Sequence, residues 1–132
     1  MDLIADTSFL VGLWQKQDWA LRFASLHSRK VLGIPWVVLG EFWHGAQRAG
    51  HDFTEVEQFL ALGLPLTDAG PVFSRYAEIC ADLQNRAQET YRQIGQNDLW
   101  IAATAAAHNS PLVTRNERHF RAIQGVELLA LQ

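Results

Sequence analysis

The sequence predicts an α/β fold in which a short parallel β-sheet is covered by helices on its faces. Short apolar runs, typical of buried strands, alternate along the chain with longer segments that have helical periodicity. The chain has 132 residues, of which 48% are hydrophobic and 19% charged, values that suit one ordinary globular domain. We therefore expect a single domain spanning residues 1–132.

Five short apolar runs are the candidate strands. One of them contains Pro65, which cannot donate to a sheet ladder, so this run is expected at an edge. Pro35 is expected to end the second run. The runs cover residues 3–5, 31–34, 64–66, 112–114 and 126–129. Because helical segments separate them, the strands are expected to be parallel, and ligands of such sheets bind at the carboxyl ends of the strands.

Six segments are the candidate helices. Thr7 or Ser8 can cap the first helix. Pro35 suits the start of the third helix and Gly50 its end, and Gly63 ends the fourth. The helices are expected over residues 7–14, 18–27, 36–48, 53–62, 68 or 69 to about 92, and 97–108. Cys80, the single cysteine, lies on an apolar helix face and is interpreted as buried packing.

The charge pattern excludes some classes of function. A net charge of −3 is not typical of a protein that holds nucleic acid by bulk electrostatics. Most of the basic residues are Arg, which suits either surface ion pairs or phosphate contacts. The N-terminus lacks a basic signal region, and no apolar run approaches the roughly 20 residues that span a bilayer. We therefore expect a cytoplasmic protein without a membrane partner.

Three acids stand alone in long uncharged segments. Asp6 is the only charged residue from 3 to 15, Glu41 the only one from 31 to 47, and Asp98 the only one from 94 to 114. An isolated carboxylate in apolar surroundings is costly unless it is protonated, paired or bound to a cation. If folding brings the three together, they form an acidic pocket that suits Mg²⁺ or Mn²⁺.

Each acid also has a purely structural interpretation. Asp6 can cap the first helix through its side chain, and Asp98 can stabilise the positive end of a helix dipole. Glu41 can lie on an exposed stripe, although Leu39, Phe42 and Trp43 surround it in the sequence. The prediction of a metal site fails only if the structural interpretation is correct for all three acids.

Four motifs in order resemble the PIN-domain ribonucleases, and specifically the VapC toxins of toxin–antitoxin pairs. They are the segments 6–10 (Asp-Thr-Ser-Phe-Leu), 40–46 with Gly-Glu-Phe at its start, 97–103 (Asn-Asp-Leu-Trp-Ile-Ala-Ala) and 112–120 with Leu-Val-Thr-Arg-Asn at its start. The resemblance runs essentially from end to end. It implies a PIN-like α/β/α sandwich with a short parallel central sheet, and hydrolysis of RNA with Mg²⁺ or Mn²⁺.

The resemblance also implies roles for individual residues. Asp6, Glu41 and Asp98 would be metal ligands, directly or through water, and one of them would help deprotonate the attacking water. The hydroxyls of Thr7, Ser8 and Thr114 would orient Asp6 or a water, although plain capping explains them equally well. The densest basic cluster of the sequence consists of Arg115, Arg118 and Arg121, and it would contact RNA or pair with Glu117 and other surface acids. Members of the family form homodimers and are silenced by a cognate antitoxin protein, so both partners are expected.

One departure from the family pattern concerns the C-terminal block. Many relatives have a fourth acid where this chain has Asn116, which lowers the negative charge and puts a second metal ion in doubt. The resemblance still implies Asn116 as a site residue, because its carbonyl oxygen can coordinate a metal or hold a bridging water. His119 stands where relatives often have Asp, and it is interpreted as a surface or capping residue. A PIN nuclease outside toxin–antitoxin systems, or a catalytically weak module that binds RNA or a partner, are the alternatives. The sequence does not identify the RNA target.

Aromatic residues and histidines outside the motifs are interpreted mainly as packing. Trp36 and Trp100 are expected in the core. Trp14, Trp19 and Trp43 suit the core, a dimer contact or an antitoxin groove. His44 and His108 lie on predicted helices and are expected to pack within the protein.

Overall fold

The computed structural model describes residues 1–131, apart from the side chain of Ala130. Five parallel strands form one sheet in the order β3-β2-β1-β4-β5. The strands are β1 (Leu3–Ala5), β2 (Leu32–Pro35), β3 (Leu64–Leu66), β4 (Leu112–Thr114) and β5 (Leu128–Ala130). Helices flank this sheet, so the predicted α/β/α sandwich with a short parallel sheet is confirmed.

Within residues 1–131, eight helices connect or follow the strands. They are α1 (Thr7–Trp14), α2 (Asp18–Leu26), α3 (Trp36–Ala49), α4 (Phe53–Leu60), α5 (Gly70–Arg86), α6 (Gln88–Gln93), α7 (Gln96–His108) and α8 (Glu117–Phe120). The C-terminal end of α3 is closed by Gly50 in the left-handed conformation with φ 73°, which glycine adopts without steric cost. Within residues 1–131, none of these helices has both the length and the apolar character needed to cross a membrane.

The centre of the sheet explains why the strand residues are apolar on both faces. All three residues of β1 and all three of β4 are buried, because helices cover both faces of these central strands. The edge strand β3 has two exposed residues and includes Pro65, as the sequence predicts. Cys80 is buried and free, which confirms its interpretation as packing.

Several boundaries differ from the sequence-based prediction. The long helix expected over residues 68–92 is divided at Ala87, whose φ of −149° and ψ of 61° are not helical. Strand β2 begins one residue later than expected and includes Pro35, whose fixed φ is compatible with the last position of a strand. Strand β5 covers Leu128–Ala130 instead of 126–129.

The packing predictions for Trp36 and His44 are wrong. Trp36 is 38% exposed because it stands at the first position of α3, at the rim of the sheet. Trp100 is half-buried and packs against the core, as expected, and against the Trp36 ring. His44 is also exposed, since it lies on the face of α3 that points away from the core. His108 is half-buried at the end of α7, in agreement with a packing role.

Candidate functional site

The site forms where three neighbouring strands end. Strand β1 lies between β2 and β4, and all three are parallel, so their carboxyl ends share one edge. Asp6 follows β1 directly, and Arg115 and Asn116 follow β4. Glu41 reaches this edge from α3 and Asp98 from the first turn of α7. The fold therefore brings together acids that are far apart in the sequence.

Asp6 is held by three donors at the base of the site. Its side chain is 3% exposed, and Oδ1 accepts the Thr7 backbone N–H at 2.8 Å, so Asp6 itself is the N-cap of α1. Oδ2 accepts the hydroxyls of Ser8 at 3.0 Å and Thr114 at 2.6 Å. Ser8 and Thr7 were the expected caps, but they lie inside the helix, where their side chains are free to bond other groups.

Glu41 is joined to the same region through α1. The Thr7 hydroxyl donates to Glu41 Oε1 at 2.8 Å across the contact between α1 and α3. The two hydroxyls at the start of α1 therefore serve different acids, because side chains one position apart on a helix point in different directions. Glu41 is half-buried and does not lie on a fully exposed stripe.

Asp98 shows that the three acids influence one another. Burial raises the pKa of Asp98 above its ordinary value, and the negative charges of Asp6 and Glu41 raise it further. A hydrogen bond between Asp98 Oδ2 and His119 Nδ1, at 2.7 Å, opposes this increase. Asp98 is thus close enough to Asp6 and Glu41 for their charges to affect it, and a histidine lies beside it.

The donor set fits a hard divalent cation. Its members are carboxylate oxygens, and within residues 1–131 none of Asp6, Glu41 and Asp98 forms an ion pair with Arg or Lys. In the same part of the chain, no three Asp, Glu, His or Cys side chains already form a group that could hold a metal ion. Each of the three acids instead accepts or shares a hydrogen bond with a hydroxyl or an imidazole. Such a site suits Mg²⁺, which keeps several of its waters and takes few carboxylates directly.

The residues after β4 connect this acidic site to a basic surface. Asn116 is exposed, and its backbone N–H donates to the Thr114 hydroxyl at 2.9 Å. The backbone N–H of Arg115 donates to the Ser8 hydroxyl at 3.1 Å. The Arg115 guanidinium lies over the Trp19 ring, 4.2 Å from its centroid. Ser8 and Thr114 therefore link Asp6 to the loop that carries Arg115 and Asn116.

A polar cleft of about 180 Å³ opens beside this loop. Arg115, Arg118 and Arg121 line it together with Asn116, Glu117 and His119. Arg121 approaches Glu117 at 3.5 Å, whereas Arg118 has no ion pair within residues 1–131. One of the three arginines is thus engaged with a surface acid, and the other two remain available to an anion.

Two features of the site were not predicted. His119 is exposed, as expected of a surface residue, but its contact with Asp98 joins positions 21 apart that no local pattern connects. Trp19 packs partly buried against the core, which was one of its expected positions, and its ring also supports Arg115, which was not expected. The motif at residues 112–120 and the density of arginines within it were the signals in the sequence for this neighbourhood.

Comparison with known proteins gives a consistent result. The family model described as PIN domain matches residues 3–126. "Ribonuclease VapC1" of Rickettsia felis is 32% identical over 142 aligned positions, which cover 99% of this chain and 97% of that protein. "Ribonuclease VapC" of Rickettsia bellii is 27% identical, with 99% and 97% coverage.

Solved structures share the fold. The structure of VapBC2 from Rickettsia felis bound to a promoter DNA fragment matches with a TM-score of 0.81 and 23% identity, and the match covers 100% of both chains. DNA-bound VapBC from Salmonella typhimurium matches with a TM-score of 0.82 and 20% identity, and the match covers 98% of each chain.

Proposed function

The chain belongs to the PIN-domain family and, within it, to the VapC group, and from this premise we propose that it is a Mg²⁺- or Mn²⁺-dependent endoribonuclease, the toxin of a toxin–antitoxin pair. Residues 1–132 would act as one nuclease domain. The observation that carries the proposal is that Asp6, Glu41 and Asp98 lie at one edge of the sheet, where burial raises the pKa of Asp98 and the charges of Asp6 and Glu41 raise it further. A site built only of carboxylates repels an RNA phosphate unless a cation is bound there.

Asp6, Glu41 and Asp98 would hold the cation, directly or through water. When bound, a divalent cation draws charge from the phosphate and makes an attacking water more acidic. The hydroxyls of Ser8 and Thr114 keep the Asp6 carboxylate in one orientation, and Thr7 does the same for Glu41. A carboxylate oxygen that the cation leaves free can accept the proton of the attacking water. Asn116, which stands where many relatives have a fourth acid, can contribute a carbonyl oxygen or hold a water.

RNA would reach the site beside the loop after β4. Arg115 and Arg118 present guanidinium groups that match phosphate oxygens, and the polar cleft next to them is about 180 Å³ in volume. The Trp19 ring limits the positions that the Arg115 guanidinium can take. The local basic charge thus compensates for the net negative charge of the chain.

A protein partner is supported by the solved relatives and by an apolar groove. The matching structures from Rickettsia felis and Salmonella typhimurium are VapBC complexes. In this chain, a groove of about 220 Å³ between α1 and α3 is lined by Val11, Trp14, Phe42 and Ala46 and reaches Glu41. An apolar antitoxin segment in this groove would cover the acids. A homodimer is also expected, and sedimentation at several concentrations would measure it.

RNA cleavage in the presence and absence of Mn²⁺ tests the proposal. Asp98→Asn should slow cleavage about 100-fold or more, because it removes a charge that binds the cation. Glu55→Gln is the matched control, since Glu55 also lies in the first turn of a helix, α4, but is exposed and belongs to neither the acidic site nor the basic surface. The control should cleave like the wild type.

The alternatives give different results in the same assay. Undiminished cleavage by Asp98→Asn would contradict the assignment of the site. Binding of RNA without cleavage by any variant would favour a catalytically weak binding module. Cleavage that no product of a neighbouring small gene inhibits would favour a PIN nuclease outside toxin–antitoxin systems.

A further inference from the structure

We propose that the cleft beside Trp36 binds one base of a single-stranded RNA substrate by stacking it on the Trp36 ring. This inference rests on the proposed ribonuclease function and adds a substrate contact to it. The cleft has a volume of about 290 Å³. Its lining residues are Trp36, Val37, Gly40, Glu41, His44 and Asn97. Glu41 is therefore a wall of this cleft and a member of the acidic site.

The Trp36 ring is exposed but held in place. It is 38% exposed, and its centroid lies 5.8 Å from that of Trp100 at an interplanar angle of 56°. Trp100 is fixed in turn by Tyr76, whose ring stacks on it at 3.7 Å and 8°. The Tyr76 hydroxyl accepts a hydrogen bond from Gln96 Nε2 at 3.0 Å. A ring supported in this way loses little conformational freedom when a ligand stacks on it.

The charge of the cleft favours a base over a phosphate. None of its lining residues is Lys or Arg, and Glu41 would repel a phosphate. A nucleobase is uncharged, and each of the four has a face that stacks on an aromatic ring. His44 and Asn97 are exposed at the cleft and offer hydrogen-bonding groups to the edge of a base.

The topology places this cleft and Arg115 on opposite sides of Asp6. Trp36 directly follows β2, Asp6 follows β1 and Arg115 follows β4, and these strands are adjacent in that order. Strands are about 4.8 Å apart, so the two outer strand ends are separated by about 10 Å. A short stretch of single-stranded RNA spans this distance, with its phosphates toward Arg115 and a base toward Trp36.

Fluorescence anisotropy of a labelled single-stranded oligouridine, measured with Mg²⁺ in the Asp98→Asn background to suppress cleavage, tests the inference. Trp36→Leu should weaken binding about tenfold, the size expected for loss of one stacked base. Trp36→Phe should recover most of the affinity because it keeps an aromatic face. Phe73→Leu is the matched control, since the Phe73 ring packs against the same Trp100 ring, with 6.0 Å between the ring centroids, and does not line the cleft. It should bind like the parent protein.

An abasic position in the oligonucleotide distinguishes stacking from a structural effect. Removal of the base at the position that occupies the cleft should weaken RNA binding by the Asp98→Asn parent protein. It should not weaken RNA binding by Trp36→Leu any further, because that variant no longer has the stacking ring. The slope of the logarithm of affinity against the logarithm of salt concentration should be unchanged in Trp36→Leu. Arg115→Gln should reduce the magnitude of that slope by about 0.7, because it removes one phosphate contact. Circular dichroism would verify that each variant is folded.

Three results would overturn the inference. The first is equal affinity of Trp36→Leu and the parent, which leaves the ribonuclease function intact. The second is a change in oligomeric state in Trp36→Leu, which would assign this ring to contact with a second copy of the chain. The third is a failure of the parent to bind any RNA, which would contradict the proposed function as well.

Discussion

Thr114→Val is the perturbation that most directly examines how Asp6 is held. Thr114 is fully buried, and its hydroxyl donates to Asp6 Oδ2 at 2.6 Å while it accepts the Asn116 backbone N–H at 2.9 Å. Valine has the same shape but neither donates nor accepts. A hydrogen bond to a charged acceptor contributes about 1.5–3 kcal/mol, and the neutral bond to Asn116 adds about 1 kcal/mol. We expect a loss of about 3 kcal/mol in the free energy of unfolding.

Urea denaturation of the metal-free protein, followed by circular dichroism, measures this loss. Thr104→Val is the matched control, because Thr104 is also buried but its hydroxyl donates at 2.8 Å to the Trp100 carbonyl of its own helix. That acceptor is uncharged, so the control should lose about 1 kcal/mol or less. Thr114→Ser keeps the hydroxyl and should lose only the contribution of a buried methyl group, about 1 kcal/mol.

A double-mutant cycle with Asp6→Asn isolates the charged hydrogen bond. Once Asp6 is neutral, Thr114→Val should cost about 1–2 kcal/mol less than in the wild-type background. Equal losses in Thr114→Val and Thr104→Val, together with no coupling to Asp6→Asn, would refute the view that Thr114 stabilises the Asp6 carboxylate.

Two further predictions concern the acids and the support of Arg115. The pKa of Asp98 is raised in the folded state, so the charged form of Asp98 lowers stability above that pKa. Asp98→Asn should therefore raise the melting temperature of the metal-free protein at neutral pH, and its difference from the wild type should shrink as the pH falls through the folded-state pKa toward the ordinary value of 3.8. Excess Mg²⁺ should stabilise only the wild type, and a difference in melting temperature that does not change with pH would contradict the prediction. Gly12→Ala should lower the stability by about 1–3 kcal/mol, because the added methyl group would overlap the Trp19 ring. The same substitution should weaken RNA binding, because it displaces the Trp19 ring that lies under Arg115. Unchanged RNA binding by a destabilised Gly12→Ala variant would contradict the view that Trp19 supports Arg115.

Local sequence signals were sufficient for most of the fold. The apolar runs predict the five strands, and the helical periodicity predicts the longer helices that separate them along the chain. Pro65 identifies an edge strand. Gly50 closes α3 as expected, since a left-handed backbone favours glycine. These features depend on residues close together in the chain, which is why a single sequence predicts them.

Other features depend on contacts between distant residues. The break at Ala87 involves neither Gly nor Pro, so nothing in the local sequence indicates it. The exposure of Trp36 follows from its position at the rim of the sheet, which hydrophobicity does not reveal. Thr7 and Ser8 bond different acids, and that division is visible only once α3 and β4 are in place. Charge scarcity marked the three acids, but not the histidine beside Asp98.

The central claim is that Asp6, Glu41 and Asp98 bind one divalent cation at the carboxyl edge of the sheet. Anomalous scattering from crystals soaked in Mn²⁺ is the most direct test. The account predicts one peak among the three side chains, with carboxylate oxygens or bridging waters at about 2.1 Å from the ion. Absence of a peak at this edge in well-ordered crystals, or a peak held by other residues, would contradict it.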